Sequence, residues 1–354
     1  MVRILALREK FAHMSNVSGY DALYSHFPDD IQLDSVFGNF KRMYPRGIGR
    51  LLITAAKMTG DSSFYNANSI HTESKLIAKQ LSGKYNLVHY SYGEPYFSLL
   101  GKIKRNKETA IAVTHHQPVT WWKEHEKSFK KYSNINAVIA LSDYDAEYFN
   151  SQIQGKAVCI PHGVDVNFYK PLTFDNKTND TLRVIFSGRY LRDMTTLAAV
   201  VKKLSASPLR FHFDIVYLPK EEVWQSYLIE LMALPCVKWY SNITEHELLS
   251  LYQQADCLLI PLEDCTANNA ILEAMACGLP IVSTDLPAIK TYLDDSVSIL
   301  GRKENADDLC DALTLLHNNE AKRVAMSLNT RNKVVTEFSW DLVASKTIEL
   351  FKSL

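Results

Sequence analysis

The chain has 354 residues, 47% of them apolar and 22% charged, which is enough for two domains that each bury a core. Lysine plus arginine balances aspartate plus glutamate at 39 each, so global charge does not single out nucleic acid as a partner. No apolar run approaches the ~18 residues of a spanning helix. "MVRILALREK" is too short and too soon charged for a signal peptide, so a cytoplasmic protein is expected.

In chain order, "VRILALR" (2–8) reads as a strand, and "HMSNVSGYD" follows as a turn of small polar residues. The amides near Ser18 and Gly19 could hold an anion or sugar hydroxyls, or simply close a loop. "LVHYSY" (87–92), "AIAVTHH" (110–116), "AVIALS" (137–142) and "AVCIPHG" (157–163) are the next strands, with helical runs such as "SKLIAKQLS" and "DAEYFNSQI" between them. This alternation implies a parallel sheet covered on both faces. "SDYDAE" contains a D-x-D, but Ser142 with Asp145 fits a helix cap better than a metal site. After the polar stretch "GVDVNFYKPLTFDNKTNDT" the pattern restarts with "LRVIFSG" (182–188), "FHFDIVYL" (211–218), "CLLIPL" (257–262) and "PIVST" (280–284). The expectation is two doubly wound α/β domains, 1–165 and 166–337, with a final amphipathic helix, 338–354, returning to the first.

Charge is uneven: up to Gly163 there are 20 basic and 14 acidic residues, and beyond it 19 and 25. The basic segments "GKIKRNKE" (101–108) and "KSFKK" (127–131) could rest on an anionic membrane or be solvated surface. The six cysteines have no C-x-x-C, which suits buried free thiols, and no His/Cys spacing suits zinc.

Ligands of doubly wound sheets bind at the carboxyl ends of strands. There "SGRYLRDMTT" offers Gly188, which lets a backbone approach closely, and Arg189 and Arg192, whose guanidinium forks suit a diphosphate. An ordinary turn with solvated arginines is the alternative. Asp193 or Thr195 would cap the following helix. In "CTANNAILEAMACGLP", Glu273 is the one charge on an otherwise apolar helix. Its carboxylate matches the vicinal diol of a ribose, or else a structural ion pair. The free N–H groups of Thr266, Ala267, Asn268 and Asn269 would face an anion or hydroxyls. "AVTHHQP" ends a strand on His115 and His116, either of which could exchange a proton or bond to backbone in the core.

Together "CIPHGVDVNFYKP", "ITEHELLSLYQQADCLLIPL", "LEAMACGLPIVSTD" and "FSW" resemble a family-4 glycosyltransferase of the exopolysaccharide or cell-envelope type. The resemblance is strong from Val184 to the C-terminus and only in outline over the first 110 residues. It implies the GT-B fold, with two facing Rossmann-like domains and a cleft between them. It further implies a retaining hexosyl transfer from a nucleoside diphosphate sugar, UDP-linked by preference, to a hydroxyl of a glycan or lipid-linked acceptor.

By that resemblance Glu273, last of an E-x7-E pattern, holds the donor ribose. The first acid of the pattern is replaced by Cys265, with Asp264 or the amides of 266–268 as substitutes. Ala270 and Ile243, the latter in the base-contacting loop, complete the donor set. Arg189 and Arg192 clamp diphosphate, and His116 is the histidine near the reacting sugar. His115, Ser18 and Gly19 lie on the acceptor side. The nucleotide sugar is a substrate, with no resident cofactor or metal. A sugar-nucleotide epimerase or hydrolase, and a non-catalytic nucleotide-sugar-binding relative, are the other readings.

Overall fold

A computed structural model describes residues 2–10, 15, 17–38, 46–58, 64–102, 109–126, 128–172, 180–217 and 226–354. His13, Met14 and Asn16 of the first turn, residues 103–108 and Lys127 of the basic segments, 173–179 of the polar stretch, and Leu218 lie outside them. The chain divides into two compact units, Met1–His162 with Trp340–Leu354, and Gly163–Ser339.

The first unit is built on six parallel strands: β1 (Val2–Arg8), β2 (Ile31–Phe37), β3 (Leu87–Tyr90), β4 (Ala110–Thr114), β5 (Ala137–Ala140) and β6 (Ala157–Cys159), in spatial order β2-β1-β3-β4-β5-β6. The central strands are buried on both faces, which is why "ILAL" and "AIAV" are unbroken apolar runs. β2 was not legible as a strand, because at the sheet edge "IQLDSVF" is only half-buried and keeps Asp34 and Ser35. The helix Trp340–Ser353 packs on the turn Tyr20–His26. There Trp340 Nε1 donates to the Val17 carbonyl at 3.0 Å, and His26 pairs with Asp341 at 2.7 Å.

The second unit has β7 (Thr181–Ser187), β8 (Arg210–Val216), β9 (Val237–Tyr240), β10 (Cys257–Ile260), β11 (Ile281–Thr284) and β12 (Ser298–Gly301), all parallel, in order β12-β11-β10-β7-β8-β9. Leu182, Val184, Phe186, Phe213 and Leu259 carry one face of this sheet into a core shared with Leu197, Val201 and Leu313 from flanking helices. β9 and β12 are again edge strands that the sequence did not betray.

The connection from β7 moves to one side through β8 and β9, then returns to place β10 on β7's other edge. The strand order therefore reverses between β7 and β10. A crevice opens at such a point beyond the carboxyl ends of the two strands. In this unit the loops that meet there are 188–193 and 261–268.

Candidate functional site

These two loops are joined backbone to backbone. Asp193 N–H donates to the Pro261 carbonyl at 3.0 Å, and Glu263 N–H to that of Leu191 at 3.0 Å, bringing Arg192 opposite Leu262. The turn begins at Gly188, whose φ of +96° strains any residue with a Cβ. A Cβ there would also meet Arg192 Nη2 at 2.6 Å, so the glycine is what lets the guanidinium fold back over the turn. Asp193 caps the helix Met194–Ser205 by accepting from Thr196 N–H at 2.8 Å, which settles the choice against Thr195.

Arg192 is half-buried and braced at three points. Nε donates to the Ser187 carbonyl (3.2 Å), Nη1 to that of Tyr190 (2.9 Å), and Nη2 to Asn268 Oδ1 (3.1 Å). Burial pushes its pKa down to about 10, with the Glu273 carboxylate nearby pulling the other way, so it stays cationic at neutral pH. Arg189, by contrast, is exposed. One arginine is thus built into the turn while the other is left in solvent.

Asn268 is the N-cap of the helix Asn269–Ala276, accepting from Ile271 N–H at 3.4 Å, and Gly278, with φ +77°, closes its other end. Glu273 lies within this helix at 5% exposure, and the hydroxyl of Tyr252 donates to its Oε2 at 3.1 Å. Tyr252 comes from the helix Glu245–Gln254, just before β10. Thr266 and Asn268 are buried, whereas Ala267, Asn269 and Asp264 are partly open. The Asp264 carboxylate accepts from the N–H of Cys265 at 2.8 Å, and Cys265 itself is buried. Ala270 is buried one turn before Glu273, and Ile243 is half-buried ahead of the Thr244–Glu247 capping box.

In the first unit the two histidines part company. His115 is buried, stacked on Phe149 with ring centroids 5.0 Å apart, edge-on to Trp122, and with Nε2 3.0 Å from the Tyr132 hydroxyl. Its other nitrogen lies 3.7 Å from the Glu94 carboxylate. That is a core histidine. His116 lies between Tyr92, stacked at 4.2 Å, and Tyr20, edge-on at 4.7 Å. Its Nε2 is 2.8 Å from the Ser91 carbonyl, which can only accept, so the proton sits on Nε2 and Nδ1 keeps a lone pair. Burial lowers its pKa and keeps the ring neutral.

Glu94 was not singled out by the sequence reading, yet it organises this turn, accepting from the N–H groups of His116 and Gln117 (2.8 Å for the latter). Burial would raise its pKa, but the adjacent His115 and the His116 N–H outweigh that and hold it at about 2. Its one sequence signal was a carboxylate in "YGEPY", directly after a strand. Ser18 is buried beside Gly19, which precedes the turn Tyr20–His26. The Ser142 hydroxyl accepts from Asp145 N–H at 3.0 Å, a cap as read from the sequence. Lys131 is a correction: it is buried against Glu126 at 2.6 Å and is no membrane-facing charge.

Residues 181–319 match the model of the family described as "Glycosyl transferases group 1". This segment is similar to the glycosyltransferases of that group. It spans β7 to the helix Ala306–Asn318 and contains Arg192, Asn268, Tyr252 and Glu273. Among curated relatives, the phosphatidyl-myo-inositol mannosyltransferase of Mycolicibacterium smegmatis is 24% identical, over 61% of this chain and 57% of its own length. The chain covers less than two thirds of the length of each of the curated relatives it matches first.

Among solved structures, sucrose-phosphate synthase from Thermosynechococcus elongatus superposes with a TM-score of 0.73 at 17% identity, covering 100% of this chain and 99% of that one. Anabaena HepE in complex with UDP-glucose gives 0.72 at 13% identity, covering 100% of both chains. The two parallel six-stranded sheets with flanking helices are those of the GT-B fold. The relatives matched are transferases, which does not favour the epimerase or hydrolase reading. Among the described residues no helix is long and apolar enough to cross a membrane.

Proposed function

We propose that the protein is a metal-independent, retaining glycosyltransferase of the family-4 kind. It takes a hexosyl group from a UDP-sugar and places it on a hydroxyl of a glycan or lipid-linked acceptor, in polysaccharide or envelope synthesis on the cytoplasmic side. The observation that carries this reading is the convergence of a braced Arg192, the capped helix start at Asn268 and the buried carboxylate of Glu273 at the strand-order reversal of the group 1 domain. The UDP-glucose bound by HepE supports the donor class.

The difficult event is breaking the bond from the anomeric carbon to the diphosphate oxygen while positive charge grows on the sugar ring. Arg192, the exposed charge of Arg189 and the N–H groups at the start of the Asn269–Ala276 helix oppose the negative charge of the departing diphosphate. Glu273 receives the ribose diol. The acceptor oxygen bonds to the same face of the anomeric carbon, and its proton passes to the leaving diphosphate oxygen, so no protein nucleophile is needed. On the acceptor side, neutral His116 offers Nδ1 as a hydrogen-bond acceptor for a sugar hydroxyl.

Two observations bear on a peripheral contact with an anionic membrane. The helix Arg46–Met58 has no acidic residue and exposes Ile48 and Leu51, the latter 73% accessible. The relative from M. smegmatis is named for an acceptor that is itself a lipid. Binding to vesicles with and without anionic lipid at physiological salt tests the contact, and equal absence from both disposes of it.

The decisive test of the function is thermal-shift screening with UDP-, GDP- and ADP-sugars, followed by proton NMR of the product anomer. Stabilisation by a UDP-sugar and a product with the donor's anomeric configuration are expected. A donor roughly a hundredfold above its dissociation constant stabilises by about 2.7 kcal/mol. No stabilisation by any nucleotide sugar, or an inverted product, overturns the reading.

A further inference from the structure

Glu273 needs a reason to hold its carboxylate in one plane, because a diol is received by two oxygens presented together. The helix that carries it is apolar on every side, so the restraint has to come from elsewhere. Tyr252 supplies it from the neighbouring Glu245–Gln254 helix: fully buried, it donates to Oε2 at 3.1 Å. Its ring is edge-on to the buried Tyr169, with centroids 6.1 Å apart.

A single buried hydroxyl from the neighbouring helix therefore holds one oxygen of the carboxylate. We infer that Tyr252 is a positioning residue that sets the plane of the Glu273 carboxylate for a ribose diol. The inference rests on the donor reading of Glu273 proposed above. Burial and the adjacent carboxylate raise the phenol's pKa well above its ordinary value, so it remains a donor across the working pH range.

A role in packing alone predicts uniform weakening on Tyr252→Phe, since the ring is kept and one hydroxyl is lost. A positioning role predicts loss of discrimination between ribose and deoxyribose. The measurement is calorimetric binding of UDP and 2′-deoxy-UDP to the full chain, wild type and Tyr252→Phe, with melting of the unliganded proteins as a check on folding. Wild type is expected to prefer UDP by about tenfold or more, the worth of a hydrogen bond to a charged group. Tyr252→Phe should bring the two nucleotides within about threefold while 2′-deoxy-UDP binds as before. Glu273→Gln should erase the same preference, and the double variant should lose no more than either single one.

Retained preference in Tyr252→Phe, or equal weakening toward both nucleotides, overturns the positioning role and leaves the donor reading standing. A wild type that binds neither nucleotide, or binds both alike, overturns the donor reading and this inference with it.

Discussion

Arg192 Nη2 donates to Asn268 Oδ1 at 3.1 Å, and the same oxygen caps the helix that carries Glu273. One side-chain amide thus fixes the guanidinium and the helix start together. Arg192→Ala should lower transfer turnover by roughly a hundredfold with the fold intact, the scale expected when a preorganised donor to the leaving charge is removed. Asn268→Ala should cost about 1 kcal/mol of stability as a lost cap. It should also reduce turnover, because Arg192 loses a brace. The two effects should be non-additive in a double-mutant cycle read by turnover. Simple additivity would show that the contact is incidental.

The neutral state of His116 makes a prediction about pH. Burial places its pKa below the usual value near 6.5, with the charge of Glu94 and the Ser91 carbonyl pulling the other way. A lowered histidine keeps its lone pair below the pH at which a free imidazole is half-protonated. Turnover should therefore hold on moving from pH 7.5 to 6.5 and fall only further into acid. His116→Ala should lower turnover, while His116→Asn, which keeps hydrogen-bonding atoms near the ring position, should recover part of it. An acid limb centred at or above pH 6.5 in the wild type would contradict this placement of the histidine.

How far the sequence led depends on where burial makes a pattern. The central strands were legible because both of their faces are covered. β2, β9 and β12 were missed because each lies at a sheet edge, where one-sided burial permits "IQLDSVF" or "VKWY". Glu273 stood out as a lone charge on an apolar helix. Its partner did not, since Tyr252 is an ordinary amphipathic-helix residue until the fold brings it over from the preceding helix. The exposure of Arg189 and the bracing of Arg192 were likewise invisible, because they depend on a backbone bridge between loops some 70 residues apart. Between two adjacent histidines, chain order alone gave no reason for one to face the core and the next to meet tyrosine rings.

Acid should unfold the first unit before the second. His89 is fully buried between the Tyr24 hydroxyl at 2.8 Å and the Thr114 hydroxyl at 2.9 Å, and burial lowers its pKa to about 3. Between that value and the ~6.5 of an unfolded histidine, the unfolded chain binds the extra proton, so stability falls as pH falls. Glu94, held at about 2, adds stability that is present above the ordinary carboxylate value and is lost as pH drops toward 2. Each group contributes at most about 1.4 kcal/mol per pH unit within its window. The tryptophans offer the readout: Trp121, Trp122 and Trp340 belong to the first unit, while Trp224 and Trp239 fall in the segment of the second. Fluorescence of a Trp224→Phe/Trp239→Phe variant should show the urea midpoint of the first unit fall steadily from pH 6.5 to 3.5. A midpoint independent of pH in that range would mean that His89 is protonated in the folded state.

Gly188 and Gly155 both have positive φ, +96° and +76°, but their surroundings differ. A Cβ at Gly155 would meet nothing within 4 Å, while at Gly188 it would meet Arg192 Nη2 at 2.6 Å. Gly155→Ala therefore carries only backbone strain, on the order of 1–2 kcal/mol, and should leave turnover unchanged. Gly188→Ala carries similar strain and in addition pushes the guanidinium off Asn268, so turnover should fall toward that of Arg192→Ala. Comparing the pair by urea denaturation and by transfer rate separates the cost of strain from the cost of displacing the arginine. Equal turnover in the two variants would mean that Arg192 works from a position other than the one that Gly188 leaves open for it.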